Sequence, residues 1–146
     1  NRRALEPWFE KWIPVATHSG THLAVVYADL DLFKPINDTL GHDAGDAVLR
    51  EVARRLEATV REGDLVARVG GDEFVIALSV TEGDRSYSSI ARRIMESISK
   101  PVMLGDVSVS VSVSVGIALF PDDGVSMKRL IELADGRMLE SKWASR

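Results

Sequence analysis

The chain has 146 residues, 45% of them hydrophobic and 27% charged, which is material for one domain, 1–146, around a single core and too little for two. Its net charge of −4 supplies no basic field and argues against a nucleic-acid partner, while the absence of cysteine excludes a disulfide framework and thiolate metal sites. No apolar run approaches the ~20 residues of a membrane helix and no signal peptide opens the chain, so the domain is expected to be cytoplasmic and to make no membrane contact itself, whether or not its parent protein is membrane-anchored.

The chain begins at Asn1-Arg2-Arg3 without a methionine and is expected to be a piece of a longer protein. Residues 3–17 carry Leu5, Trp8, Phe9, Trp12 and Ile13 at helical spacing, with Pro14 near the end. A turn around Gly20 leads to the continuous apolar run Leu23–Ala28, the pattern of a strand buried on both faces. That strand ends in Asp29-Leu30-Asp31, and a short helix through Lys34-Pro35-Ile36-Asn37 follows. Residues 41–45 read as a loop. Val48, Leu49, Val52, Leu56 and Val60 then fall on one stripe of a helix. Leu65–Val69 and Phe74–Val80 are strands of a hairpin around Gly70-Gly71. A polar loop over 81–87 precedes a helix marked by Ile90, Ile94 and Ile98. The Val-Ser alternation from Val107 to Val115 predicts a strand with one buried and one polar face, continued to Phe120. A last helix over Ser126–Trp143 turns Leu130, Ile131, Leu133, Ala134 and Met138 inward. Trp8, Trp12 and Trp143 are read as helix-packing residues. The order α β α α β β α β α predicts an α/β or α+β fold, a central mixed sheet wrapped by helices.

The chemistry lies in acidic residues at strand ends. Asp29 and Asp31 leave the first strand two positions apart, so they project from one face at its carboxyl end, where ligands of such sheets usually bind. Asp72 and Glu73 sit at the tip of the hairpin, where Gly70 and Gly71 can take positive φ and let a backbone approach a phosphate. If the two strands are neighbours, the carboxylates converge and repel unless a cation joins them. Hard oxygen donors beside a polyphosphate suit Mg²⁺ or Mn²⁺. Taken singly, each motif also fits an ordinary acidic turn.

Taken together, the motifs resemble one family. Arg68-Val69-Gly70-Gly71-Asp72-Glu73-Phe74 is similar to the hairpin that gives the GGDEF family of diguanylate cyclases its name. Asp29-Leu30-Asp31-Leu32-Phe33-Lys34, followed by Ile36-Asn37-Asp38, resembles its metal and nucleotide segment, and Gly41-His42-Asp43-Ala44-Gly45-Asp46 the segment after it. The resemblance implies a fold akin to class III nucleotidyl cyclases and the polymerase palm. It implies condensation of two GTP into cyclic di-GMP and two pyrophosphates by two-metal phosphoryl transfer at a dimer interface.

Under that resemblance Asp29, Asp72 and the Leu30 carbonyl would ligate two Mg²⁺ or Mn²⁺ per half-site. Glu73 would support them, and Asp72 is also a candidate to help deprotonate the 3′-hydroxyl. Asn37 and Asp46 would select the base: an ionised Asp only accepts, and guanine presents paired donors where adenine does not. Lys34, the backbone at Leu32 and Phe33, Gly70, Gly71, Lys142 and Arg146 would hold phosphates, with His42 at the nucleotide. The last helix departs from the family's pattern at Leu139, Ser141 and Ser145, where tyrosine, alanine and glycine are common.

Arg61-Glu62-Gly63-Asp64 stands five residues before Gly70 and matches the family's RxxD inhibitory site. Arg61 and Asp64 would then grip cyclic di-GMP, completed by Arg92 or Arg93 on the following helix. A single base-selecting set implies one GTP per copy and hence a homodimer for activity. The rival readings are a catalytically silent GTP- or cyclic di-GMP-binding regulatory domain, a purely structural dimerisation module, and an adenylyl cyclase or polymerase-like activity, which conflicts with Asp46.

Overall fold

The structure, a computed structural model, describes residues 2–31, 33–80 and 86–144. A 3-10 turn at Arg2–Ala4 enters α1 (Leu5–Ser19), which leads to β1 (His22–Asp31), α2 (Phe33–Leu40) and α3 (His42–Thr59). Then come β2 (Leu65–Arg68), β3 (Glu73–Val80), α4 (Tyr87–Ile98), β4 (Val102–Leu104), β5 (Val107–Val109), β6 (Ser112–Phe120) and α5 (Met127–Ala144).

The main sheet has the order β2-β3-β1-β6. Each of its pairs is antiparallel, so the expected helix-wrapped central sheet is present but is antiparallel where a mixed one was expected. β1 lies in the middle, which is why Leu23–Ala28 is apolar at every position. Alternation sorts its side chains into two layers. Ala24, Val26, Ala28 and Leu30 join a core with α3 and α4, through Val48, Val52, Leu56, Ile90, Ile94 and Ile98. Leu23, Val25 and Tyr27 join a second core with α1 and α5, through Trp8, Phe9, Leu130, Ala134 and Met138.

Helix α5 sits directly on β6. A Cβ at Gly116 would collide with the Ala134 carbonyl and the Met138 amide, so only glycine lets the two backbones approach this closely. Arg137 fastens the same contact, with Nη1 donating to the Ile117 carbonyl at 2.7 Å and to Asp123 Oδ2 at 3.1 Å. These contacts fix the helix that carries Lys142.

Three local expectations are corrected. The strand expected over 107–120 is two strands, because β5 folds back on β4 through a turn at Gly105 (φ 63°). The Val-Ser alternation runs unbroken through Ser110-Val111, so period two cannot register the break. The loop expected over 41–45 is instead the entry to α3, which begins at His42 after Gly41 (φ 94°). Trp143, expected to pack, is instead 72% exposed, whereas Trp8 is buried.

Candidate active site

The antiparallel register sets Asp29 directly opposite Glu73 on neighbouring strands. Directly opposed residues share a face, so both carboxylates point to the α5 side of the sheet, as Tyr27 does two residues earlier. The Leu30 amide donates to the Asp72 carbonyl at 3.1 Å and ties the end of β1 to the tip of the β2–β3 hairpin. Within that tip the amides of Val69 and Gly70 donate to the Glu73 carbonyl at 3.0 and 3.4 Å. Arg68 braces it from outside, with Nη2 donating to the Gly71 carbonyl at 2.7 Å.

Positive φ does not explain the glycine pair. Among the described residues the left-handed glycines are Gly20, Gly41, Gly63 and Gly105, and neither Gly70 nor Gly71 is one of them. Gly70 is required by proximity: a Cβ there would stand 2.7 Å from Glu73 Oε1. The Glu73 carboxylate is folded back against its own turn, where the Tyr27 hydroxyl donates to Oε1 at 3.3 Å. Burial, and then the Glu73 carboxylate, pushes Tyr27 up to about 12, so it remains a donor at neutral pH. Burial also raises Glu73, and Asp29 is the next cause.

Asp29 is the most deeply committed acid. Its Oδ2 lies 2.9 Å from Lys142 Nζ, and its Oδ1 is buried with no hydrogen-bond partner. Burial raises its carboxyl, Lys142 opposes that rise, and Asp72 and Asp31 add to it. Asp31 takes hydrogen bonds from Ser112 Oγ at 3.0 Å and Ser114 Oγ at 2.7 Å, and stands 3.8 Å from Lys142 Nζ. Lys142, expected at phosphates, is therefore an ion-pair partner of two acids here. Tyr27, Ser112 and Ser114 were missed by sequence reasoning. The Val-Ser alternation predicts a polar strand face at Ser114, yet it is 3% exposed.

Among the described residues no three His, Cys, Asp or Glu side chains are gathered tightly enough to enclose a metal unaided. The donors nevertheless fit a hard divalent cation. The unpartnered Asp29 oxygen is an acceptor in need of a positive partner, and the nearby Asp72 carboxylate and the Leu30 carbonyl can add hard oxygen donors to it.

The base-selecting candidates come together across the α2–α3 junction. The Asn37 side chain runs so close to Gly45 that a Cβ at 45 would strike its amide oxygen, and Asp46 is the next residue. Asp46 also lines a groove of about 430 Å³ with Leu49, Arg50, Val66, Arg68 and Phe74. Lys34 and His42 are exposed at the starts of α2 and α3, whereas the Phe33 ring is buried and can offer a ligand only its backbone. Leu32 and Arg146 lie outside the described residues.

The RxxD segment forms the turn between α3 and β2. Asp64 Oδ2 accepts from the Arg61 amide at 3.1 Å and Oδ1 from the Ser79 amide at 3.0 Å, so both oxygens hold backbone. The Trp8 indole caps the same turn by donating to the Gly63 carbonyl at 2.7 Å. Arg61 is exposed, and Arg92 is exposed on α4, which packs against α3.

Known proteins share this fold. The profile of the family described as "Diguanylate cyclase, GGDEF domain" matches residues 1–146. Diguanylate cyclase TpbB of Pseudomonas aeruginosa is 40% identical over 147 residues, covering 100% of this chain and 34% of TpbB. The crystal structure of a sensory box/GGDEF family protein from Caulobacter crescentus superposes with a TM-score of 0.92 at 36% identity, over 99% of this chain and 93% of that one. The GGDEF domain of DgcB from the same organism, in complex with c-di-GMP, superposes with a TM-score of 0.83 at 27% identity, over 100% and 86%. The chain belongs to the GGDEF family of diguanylate cyclase domains, and it spans about a third or less of the length of the curated relatives it matches.

Proposed function

We propose that this domain is a diguanylate cyclase that joins two GTP into cyclic di-GMP with release of two pyrophosphates. The observation that carries the reading is the junction of Asp29, Asp72 and Glu73 at one sheet end, a short way along the chain from Asn37 and Asp46. Asp46 accepts from guanine N1–H and the exocyclic amine, and would face adenine without donors, at a cost of about 1–3 kcal/mol. Asn37, held over Gly45, adds a second contact to the base. Lys34 and Lys142 meet the phosphates, together with the backbone at Leu32 and Phe33 and with Arg146. His42 borders the nucleotide, and the open tip at Gly71 leaves room for a phosphate.

Divalent ions, Mg²⁺ or Mn²⁺ and two per half-site, supply charge neutralisation at the α-phosphate and the leaving pyrophosphate when bound. Asp29, Asp72 and the Leu30 carbonyl would hold them, with Glu73 in support, and Asp72 would help to take the 3′-hydroxyl proton. One copy holds one GTP, so two copies face each other and each 3′-oxygen attacks the other nucleotide's α-phosphate. Product binding at Arg61, Asp64 and Arg92 would inhibit. Incubation with GTP or ATP and magnesium, followed by mass analysis, tests the reading. Cyclic di-GMP from GTP alone is expected, and GTP binding without turnover would favour the silent regulatory domain.

A further inference from the structure

The acidic pocket already holds a cation. Asp29, Asp31, Asp72 and Glu73 stand at one end of the sheet, and Lys142 Nζ lies 2.9 Å from Asp29 Oδ2 and 3.8 Å from Asp31 Oδ1. The three side chains of these ion pairs are only 13–23% exposed, so solvent and salt screen them poorly. A divalent ion brought to the unpartnered Asp29 oxygen would stand beside this ammonium and be repelled by it. The two cations compete for one carboxylate.

The backbone of α5 cannot withdraw Lys142, because Gly116 and Arg137 lock that helix onto β6. The side chain can leave alone, since a lysine stem has four rotatable bonds, and it needs another anion to go to. A nucleotide polyphosphate at the same sheet end is that anion.

We propose that Lys142 is the resident counter-ion of the acidic pocket, displaced jointly by a divalent cation and a nucleotide polyphosphate, so that each ligand strengthens binding of the other. The proposal rests on the reading of this pocket as a metal–nucleotide site. Its consequence is that Asp29 stays paired with Lys142, and disfavours metal, until nucleotide arrives. By linkage the enhancement must be equal in both directions.

Calorimetric titration of Mn²⁺ into the wild type, with and without a non-hydrolysable GTP analogue, tests it, repeated with Lys142→Met and Lys142→Gln. Wild type should bind Mn²⁺ at least tenfold more tightly with the analogue present. Either variant should bind Mn²⁺ alone at least fivefold more tightly than wild type, and the enhancement by the analogue should be smaller than in wild type. The two substitutions guard against one failing to fold. Equal Mn²⁺ affinity of wild type with and without analogue would overturn the proposal. So would variants that bind Mn²⁺ alone no better than wild type, or no Mn²⁺ binding by any of the proteins. Cyclic di-GMP formation is scored separately: product with uncoupled binding removes only the counter-ion role, and coupled binding without product removes only the enzyme.

Discussion

The Leu30 amide donates to the Asp72 carbonyl at 3.1 Å, which makes the end of β1 and the tip of the β2–β3 hairpin a single rigid piece. Two acidic motifs more than forty residues apart in sequence are thereby held in one place by backbone, not by their own side chains. Their carboxylates can then be altered without dismantling what positions them.

Asp29→Ala and Asp72→Ala should each lower turnover by more than a hundredfold, about 2.7 kcal/mol of transition-state stabilisation. The Leu30–Asp72 link survives both changes because it is made by main chain. Circular dichroism should show an unaltered fold. Retention of more than about a tenth of wild-type turnover, a loss below ~1.4 kcal/mol, would remove the metal-ligand assignment.

Glu73 gives a pH-dependent prediction. Burial, and then Asp29, raises its carboxyl above the ordinary 4.5, so the folded chain holds that proton more tightly than the unfolded chain does. Its favourable contribution is complete below the ordinary value and is lost as pH rises through the raised one. In divalent-free buffer, Glu73→Gln should therefore melt higher than wild type at neutral pH, and the gap should close toward pH 4. The amide oxygen can still accept from Tyr27, so packing is kept. Turnover should fall at the same time, as expected where an active site trades stability for function. A melting temperature that drops in Glu73→Gln at neutral pH would contradict the buried-charge account.

What the sequence disclosed and what it hid separate along physical lines. Features set by local period were legible: the double-sided burial of Leu23–Ala28, the α3 stripe and the acids at both strand ends. Features set by approach between distant segments were not. Gly70 and Gly45 read as turn formers, yet each is needed because a side chain from elsewhere, or from the next turn, lies against it. Ser114 read as solvent-facing because alternation gives only the face of a strand; its neighbour Asp31 comes from the register with β1. The β4–β5 hairpin was invisible because its break interrupts no hydrophobic period.

The RxxD turn separates two roles that the motif merges. Asp64 spends both oxygens on the amides of Arg61 and Ser79, so Asp64→Ala leaves two amides short of partners and should destabilise the chain by about 1–3 kcal/mol. Arg61→Ala removes an exposed side chain and should change stability by less than about 0.5 kcal/mol. It should nonetheless weaken cyclic di-GMP binding at least tenfold and relieve product inhibition. Thermal melts and product calorimetry on the two variants decide the matter. Equal product affinity in Arg61→Ala and wild type would reduce the motif to a folding turn.

In the proposed reaction two copies of this domain, each carrying one GTP, complete one another's chemistry. Initial rate against enzyme concentration with GTP and magnesium, the product being identified by mass, tests this pairing. Cyclic di-GMP should appear with two pyrophosphates per product, and activity per mole of chain should rise with concentration as the copies pair. Constant specific activity down to concentrations where sizing shows only monomer would contradict the paired half-sites. Absence of cyclic di-GMP at every concentration would contradict the enzyme itself.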